Sequence, residues 1–104
     1  EDYFVLESKG QIIGCGGLNY EKNKTAAVLS WGIIHPSHHG QGFGTKLTHH
    51  RVKHAKNING ITKLVVRTNQ HTVKFYEKMG FTLLKVKEDY WAPGLHLNYM
   101  EMPI

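Results

Sequence analysis

The chain has 104 residues, 40% of them apolar and 20% charged, which is ordinary globular usage and excludes extensive disorder. Its length predicts one domain over residues 1–104, and no apolar stretch approaches the roughly 20 residues of a membrane-spanning helix. A formal charge of +5 favours an anionic partner, either a phosphorylated cofactor or nucleic acid, while the single cysteine, Cys15, excludes an internal disulfide and fits a reducing, cytoplasmic setting.

Tyr3–Ser8 reads as a strand. Lys9-Gly10 is a tight turn, and Gln11–Leu18 the returning strand of a hairpin. The glycines in that strand, Gly14, Gly16 and Gly17, predict a bulge or the close approach of another backbone. After the polar turn Glu21–Lys24, Thr25–Ile34 forms a third strand that ends at His35-Pro36. The period then changes. Ser37–Gly44 is glycine-rich and leads into a helix over Thr45–Asn57, where Phe43, Leu47, Arg51, Ala55 and Ile58 share one face. Ile61–Thr68 reads as a buried strand. Asn69 is placed to cap a second helix over Gln70–Met79, with Gly80 at its C-terminal turn. Strands at Phe81–Glu88 and Leu95–Met102 follow, joined by the loop Asp89–Gly94. The order predicts an α+β fold with a mixed sheet, in which the crossover helix makes one parallel neighbour.

The sharpest local feature is Gly40-Gln41-Gly42-Phe43-Gly44 between a strand and a helix. Glycines let a backbone turn tightly and approach a ligand, and the helix start offers unpaired N–H groups and the positive end of its dipole. The combination suits a phosphate or pyrophosphate. Gly44-Thr45-Lys46 has the wrong order for a nucleotide-triphosphate loop, and glycines at 40, 42 and 44 do not give a dinucleotide fingerprint. On the glycines alone, a connector without a ligand serves equally well.

His39-Gly40-Gln41-Gly42-Phe43-Gly44 resembles the Arg/Gln-x-x-Gly-x-Gly/Ala pyrophosphate motif of the GNAT superfamily of N-acetyltransferases, and Ile34-His35-Pro36 resembles the ending of that family's fourth strand. Downstream, Asn69–Phe81 is similar to the family's Asn-x-x-Ala-x-x-Phe-Tyr-x-Lys-x-Gly-Phe signature. His39 replaces the usual Arg or Gln, and Thr72 the usual small residue. The family's first strand and first two helices have no counterpart here, so the resemblance implies an N-terminally truncated GNAT-like fold.

The resemblance implies acetyl-coenzyme A as donor and a primary amine, on a small molecule or a peptide, as acceptor. The pyrophosphate would rest on the backbone from His39 through Gly40, Gln41, Gly42, Phe43 and Gly44 to Thr45. The pantetheine arm would pair with the backbone of Ile33 and Ile34, with Asn69 as a further hydrogen-bonding partner. A backbone N–H near Ile34 would polarise the acetyl carbonyl. Tyr76 is the candidate general acid, because a phenol of pKa about 10 can protonate a thiolate whose thiol has a pKa of about 8.5. A base is harder to place. The inward strand positions are Val28 and Ser30, so a proton would leave through water held by Ser30, or reach His35 or His96. An α-amine acceptor, of pKa near 8, lessens the need for a strong base.

Other classes fit less well. His50 and His54 share a helix face but lack a third ligand and a glutamate between them, so no metal is expected. Lys46, Arg51, Lys53 and Lys56 lie along one helix, yet no aromatic interleaving supports nucleic-acid binding. Cys15 reads as a small core residue. Tyr90 and Trp91 either line an acceptor pocket or cover the sheet edge. The alternative function is a catalytically silent acyl-coenzyme A-binding module, and homodimer formation stays open.

Overall fold

The computed structural model describes residues 2–21, 25–35, 40 and 42–104, with the backbone alone at 31–33. Strand β1 (Asp2–Ser8) returns into β2 (Gln11–Tyr20) through Lys9 and Gly10, whose φ values of 51° and 79° are those of a hairpin turn matched to strand twist. Period-two alternation gives β1 two faces: Phe4 and Leu6 are half-buried, whereas Tyr3 and Val5 are exposed. Next come β3 (Ala26–Ile34), α1 (Phe43–Lys56), β4 (Lys63–Thr68), α2 (Val73–Met79), β5 (Thr82–Ala92) and β6 (Leu95–Pro103). The six strands form one mixed sheet in the order β1-β2-β3-β4-β6-β5, in which β3 and β4 are the parallel pair. The expected crossover through α1 is present.

Both helices pack on one face of that sheet. Leu18, Ala27, Leu29, Leu64, Val66 and Met100 rise from the strands to meet Val52 and Ala55 of α1 and Phe81 beyond α2. Burying side chains of this size contributes roughly 1.5–3 kcal/mol each before entropy is counted. One irregularity positions the site. The β3–β4 ladder pairs Ala26–Leu29 with Lys63–Val66 and ends there, while β3 runs on to Ile34 beside β2 and β4 runs on to Thr68 beside β6. The sheet therefore splays past Leu29, under the gap between α1 and α2.

Two expectations need correction. Asn69 does not cap α2: its Oδ1 accepts the His71 N–H at 2.9 Å, an Asx turn that delays the helix until Val73, with Thr72 at the N-cap. The segment Asp89–Ala92 is strand rather than loop, because β5 and β6 stay paired to Ala92↔Leu95 across a bulge and turn through Pro93-Gly94. The close approach expected at the β2 glycines is present: the Asp2 carbonyl stands 3.3 Å from where a Cβ on Gly17 would sit, and the Arg51 side chain fills the space at Gly16. A bulge does fall where it was expected, between Cys15 and Gly17.

Candidate active site

A cavity of about 610 Å³ opens over the splay, between the N-terminal half of α1 and the start of α2. That volume is in the range of small-molecule sites. Gly40, Gly42, Phe43, Gly44 and Thr45 form one wall. Gly42 (φ 79°) holds the left-handed conformation at the N-cap of α1, and its carbonyl accepts the Lys46 N–H at 3.0 Å. A side chain there would be strained, so glycine is required by the backbone itself. The first turn of α1 carries no acidic residue, and the helix start presents its positive pole unopposed by a carboxylate.

The opposite wall is α2 and its approach: His71, Thr72, Phe75 and Tyr76. Gly80 (φ 109°) closes α2 as the sequence predicts, and the Phe81 N–H returns to the Tyr76 carbonyl at 3.0 Å. That closure fixes the turn carrying Tyr76. The Tyr76 ring meets Phe75 and Phe81 edge-on, with centroids 5.0 and 5.6 Å away. Phe75 stands at the cavity, 3.8 Å from where a Cβ on Gly44 would sit, whereas Tyr76 both lines the cavity and packs against the core.

Ile34, Leu47, Thr48 and Arg51 complete the lining. Arg51 is 2% exposed, and its Nη1 donates to the carbonyls of Gly17 at 3.2 Å and Ser30 at 3.1 Å. Burial disfavours its charge, and the neighbouring Tyr76 phenol counteracts that effect. Burial pushes the Tyr76 phenol above its ordinary value, and the Arg51 guanidinium pulls it back through charge and hydrogen bonding. The sequence sets Arg51 both on the apolar face of α1 and among its lysines; in the fold it is buried and unavailable to a nucleic-acid partner. The signal that could have singled it out was its place on the apolar stripe of α1, between Leu47 and Ala55.

The remaining candidates are dispersed. His39 and Gln41 lie outside the described residues, as do Pro36, Ser37 and His38; of Ile33 only the backbone is described. Ser30 Oγ accepts from Asn19 Nδ2 at 3.1 Å and does not line the cavity. Asn69 is occupied by its own turn. His35 is exposed, with its N–H on the Ile13 carbonyl at 2.6 Å. His96 Nδ1 accepts the Asp89 N–H at 3.0 Å, so in neutral form its other nitrogen carries the proton and cannot accept one. Trp91 donates to the Thr68 carbonyl at 3.2 Å, which ties the β5–β6 hairpin to the end of β4 and favours its role at the sheet edge. His50 and His54 lie edge-on to Phe4, with centroids 5.2 and 5.0 Å away, and so cover β1. Cys15 is half-buried rather than in the core. Among the described residues no helix is long and apolar enough to cross a membrane.

Residues 1–83 match a family model described as an acetyltransferase (GNAT) domain. Amino-acid acetyltransferase from Pasteurella multocida (strain Pm70) is 30% identical over 97 residues, covering 93% of this chain. The chain spans 22% of that curated relative's length. Among solved structures, an IAA acetyltransferase from Bacillus cereus superposes with a TM-score of 0.87 at 23% identity, over 98% of this chain and 77% of its own. A GNAT family acetyltransferase from Elizabethkingia anophelis, solved with acetyl-CoA bound, gives a TM-score of 0.87 at 19% identity, over 98% of this chain and 75% of its own.

Proposed function

The chain belongs to the GNAT acetyltransferase family, and we propose that its 104 residues act as a single domain that moves the acetyl group of acetyl-CoA onto a primary amine by direct attack. One observation carries this reading: the glycine-walled start of α1 faces the Tyr76 phenol across a single cavity above the splayed strands. The donor's pyrophosphate would sit at the α1 start, where a helix dipole and no carboxylate await an anion. Its pantetheine arm would follow β3 beyond Leu29, which brings the thioester between Ile34 and Tyr76. There the amine nitrogen attacks the acetyl carbon, and the carbon–sulfur bond breaks with its electron pair on sulfur. The Tyr76 hydroxyl proton moves to that sulfur, and the proton shed by the acylated nitrogen passes through solvent to the phenolate.

Among the described residues no carboxylate lines the cavity, neither Ser30, His35 nor His96 reaches it, and His71 supplies the imidazole in its wall. With a single such base at hand, an amine that is substantially neutral near pH 8 suits the site. An α-amine meets that requirement, whereas a lysine-like amine of pKa about 10.4 costs roughly 3–5 kcal/mol to deprotonate at pH 7–8.

Heating the protein with millimolar acetyl-CoA tests the donor site. A ligand at 100 times its Kd stabilises by about 2.7 kcal/mol, enough to raise the melting temperature by several degrees. An unchanged melting temperature refutes the donor site. Thiol release with L-glutamate, an alanine-terminated peptide and spermidine then separates a transferase from a silent binding module, for which every amine gives only the background rate.

A further inference from the structure

Helix α2 and its approach form one wall of the cavity, yet α2 does little to hold itself there. It has seven residues, none of them buried, and a helix that short is unstable without outside support. Its C-terminal end is secured by the Gly80 turn and by the Phe81 N–H on the Tyr76 carbonyl. Its approach is an Asx turn in which the Asn69 side chain is already spent on the His71 N–H. Gln70, half-buried in that turn, reaches instead to the β5–β6 hairpin. Its Nε2 donates to the Gly94 carbonyl at 2.7 Å, and its Oε1 accepts the His96 N–H at 3.0 Å. One carboxamide thus satisfies a backbone acceptor and a backbone donor together. Trp91 Nε1 adds a bond to the Thr68 carbonyl at 3.2 Å, so all three bonds join segments 23–26 positions apart. The far side is itself braced: the Gly94 N–H donates to Asp89 Oδ1 at 2.7 Å, and the Asp89 N–H to His96 Nδ1 at 3.0 Å.

We infer that Gln70 is a positioning residue for the donor: its carboxamide clasps the β5–β6 hairpin and so holds His71 and Thr72 as the cavity wall facing the glycine start of α1. The inference rests on the function proposed above and adds to that site a residue that does not itself line the cavity. A cavity whose wall is in place only part of the time binds its ligand with an affinity reduced by that fraction. Without the clasp the approach keeps the Trp91 bond and its own turn, and the wall loosens at His71 and Thr72. Tyr76 lies at the other end, packed against the core beside the Gly80 closure, and keeps its place. The two ends of the wall therefore serve different steps. The clasped end serves donor binding, and the secured end serves the proton transfer to sulfur.

The test compares wild type with Gln70→Met, which keeps the length of the side chain but removes both its bonds, and with Trp91→Phe, which removes the third. Amide hydrogen exchange is followed by NMR with no ligand present. In Gln70→Met the His71 and Thr72 amides, bonded to Asn69, should exchange about tenfold faster, while the Gly80 and Phe81 amides stay within about twofold of wild type. The Kd for acetyl-CoA, measured by calorimetry, should rise about three- to thirtyfold. In thiol release with whichever of the three amines turns over fastest, kcat at saturating acetyl-CoA should stay within about threefold of wild type. Trp91→Phe should shift exchange and affinity in the same direction by less, and the double variant should exceed either alone. Unchanged exchange at His71 and Thr72 in Gln70→Met overturns the inference. So does faster exchange spread evenly over α2 and the sheet, or a kcat that falls as far as the affinity. Wild type that binds no acetyl-CoA refutes the donor site instead, while the exchange, read without donor, still decides the clasp.

Discussion

Replacing Tyr76 with Phe removes one oxygen and little else. The ring keeps its edge contacts with Phe75 and Phe81 at 5.0 and 5.6 Å, so the packing of α2 on the core is preserved. What disappears is a half-buried hydroxyl that lines the cavity. The hydrogen-bonding contribution of a single hydroxyl is about 0.5–1.5 kcal/mol. The melting temperature should therefore move by only a few degrees. The rate should respond far more. A positioned general acid contributes about 10²–10⁴-fold, or roughly 2.7–5.5 kcal/mol of barrier. Steady-state thiol release at saturating acetyl-CoA, with parallel thermal melts, separates the two effects. Since burial keeps the phenol above its ordinary value, wild-type kcat should show no loss of acid from Tyr76 below about pH 10. A Tyr76→Phe enzyme whose kcat stays within about threefold of wild type would falsify the assignment of Tyr76 as the acid.

Two glycines of the α1 start should respond with opposite signs. Gly42→Ala forces a side chain onto φ 79° and should lower stability by about 1–2 kcal/mol. Gly44→Ala meets Phe75 at an ordinary 3.8 Å within a helix and should raise stability by about 0.5–1 kcal/mol. Chemical denaturation measures both, and equal shifts would contradict the backbone argument. At high pH, Tyr20 and Tyr99 should erode stability together. Partial burial and the Asp2 carboxylate push the Tyr20 phenol up to about 12, and the Glu101 carboxylate, aided by burial, does the same for Tyr99. Folded phenols that hold their protons more tightly than unfolded ones stabilise below pH 10, and that contribution is lost as pH rises toward 12. The melting temperature should fall across pH 10–12, and the double variant Tyr20→Phe with Tyr99→Phe should flatten the fall.

The element order, the crossover helix, the left-handed Gly42 and Gly80 and the motif around Tyr76 follow from local pattern: strand alternation, helical spacing and residues whose φ has few alternatives. Those signals lie within a few residues of one another, so the chain displays them before it folds. Partnerships between distant segments are different in kind. That Arg51 would lie against Gly16, 35 positions earlier in the chain, depends on how α1 sits across β2 and β3. That Phe75 stands at the cavity while Tyr76 both lines it and packs against the core depends on the rotation of α2 about its axis. The Asx turn at Asn69 and the strand pairing out to Ala92 were decided by hydrogen bonds that compete with the simpler local choice. Spacing along the chain names the groups available for chemistry, but only close packing selects which of them share a low-dielectric space.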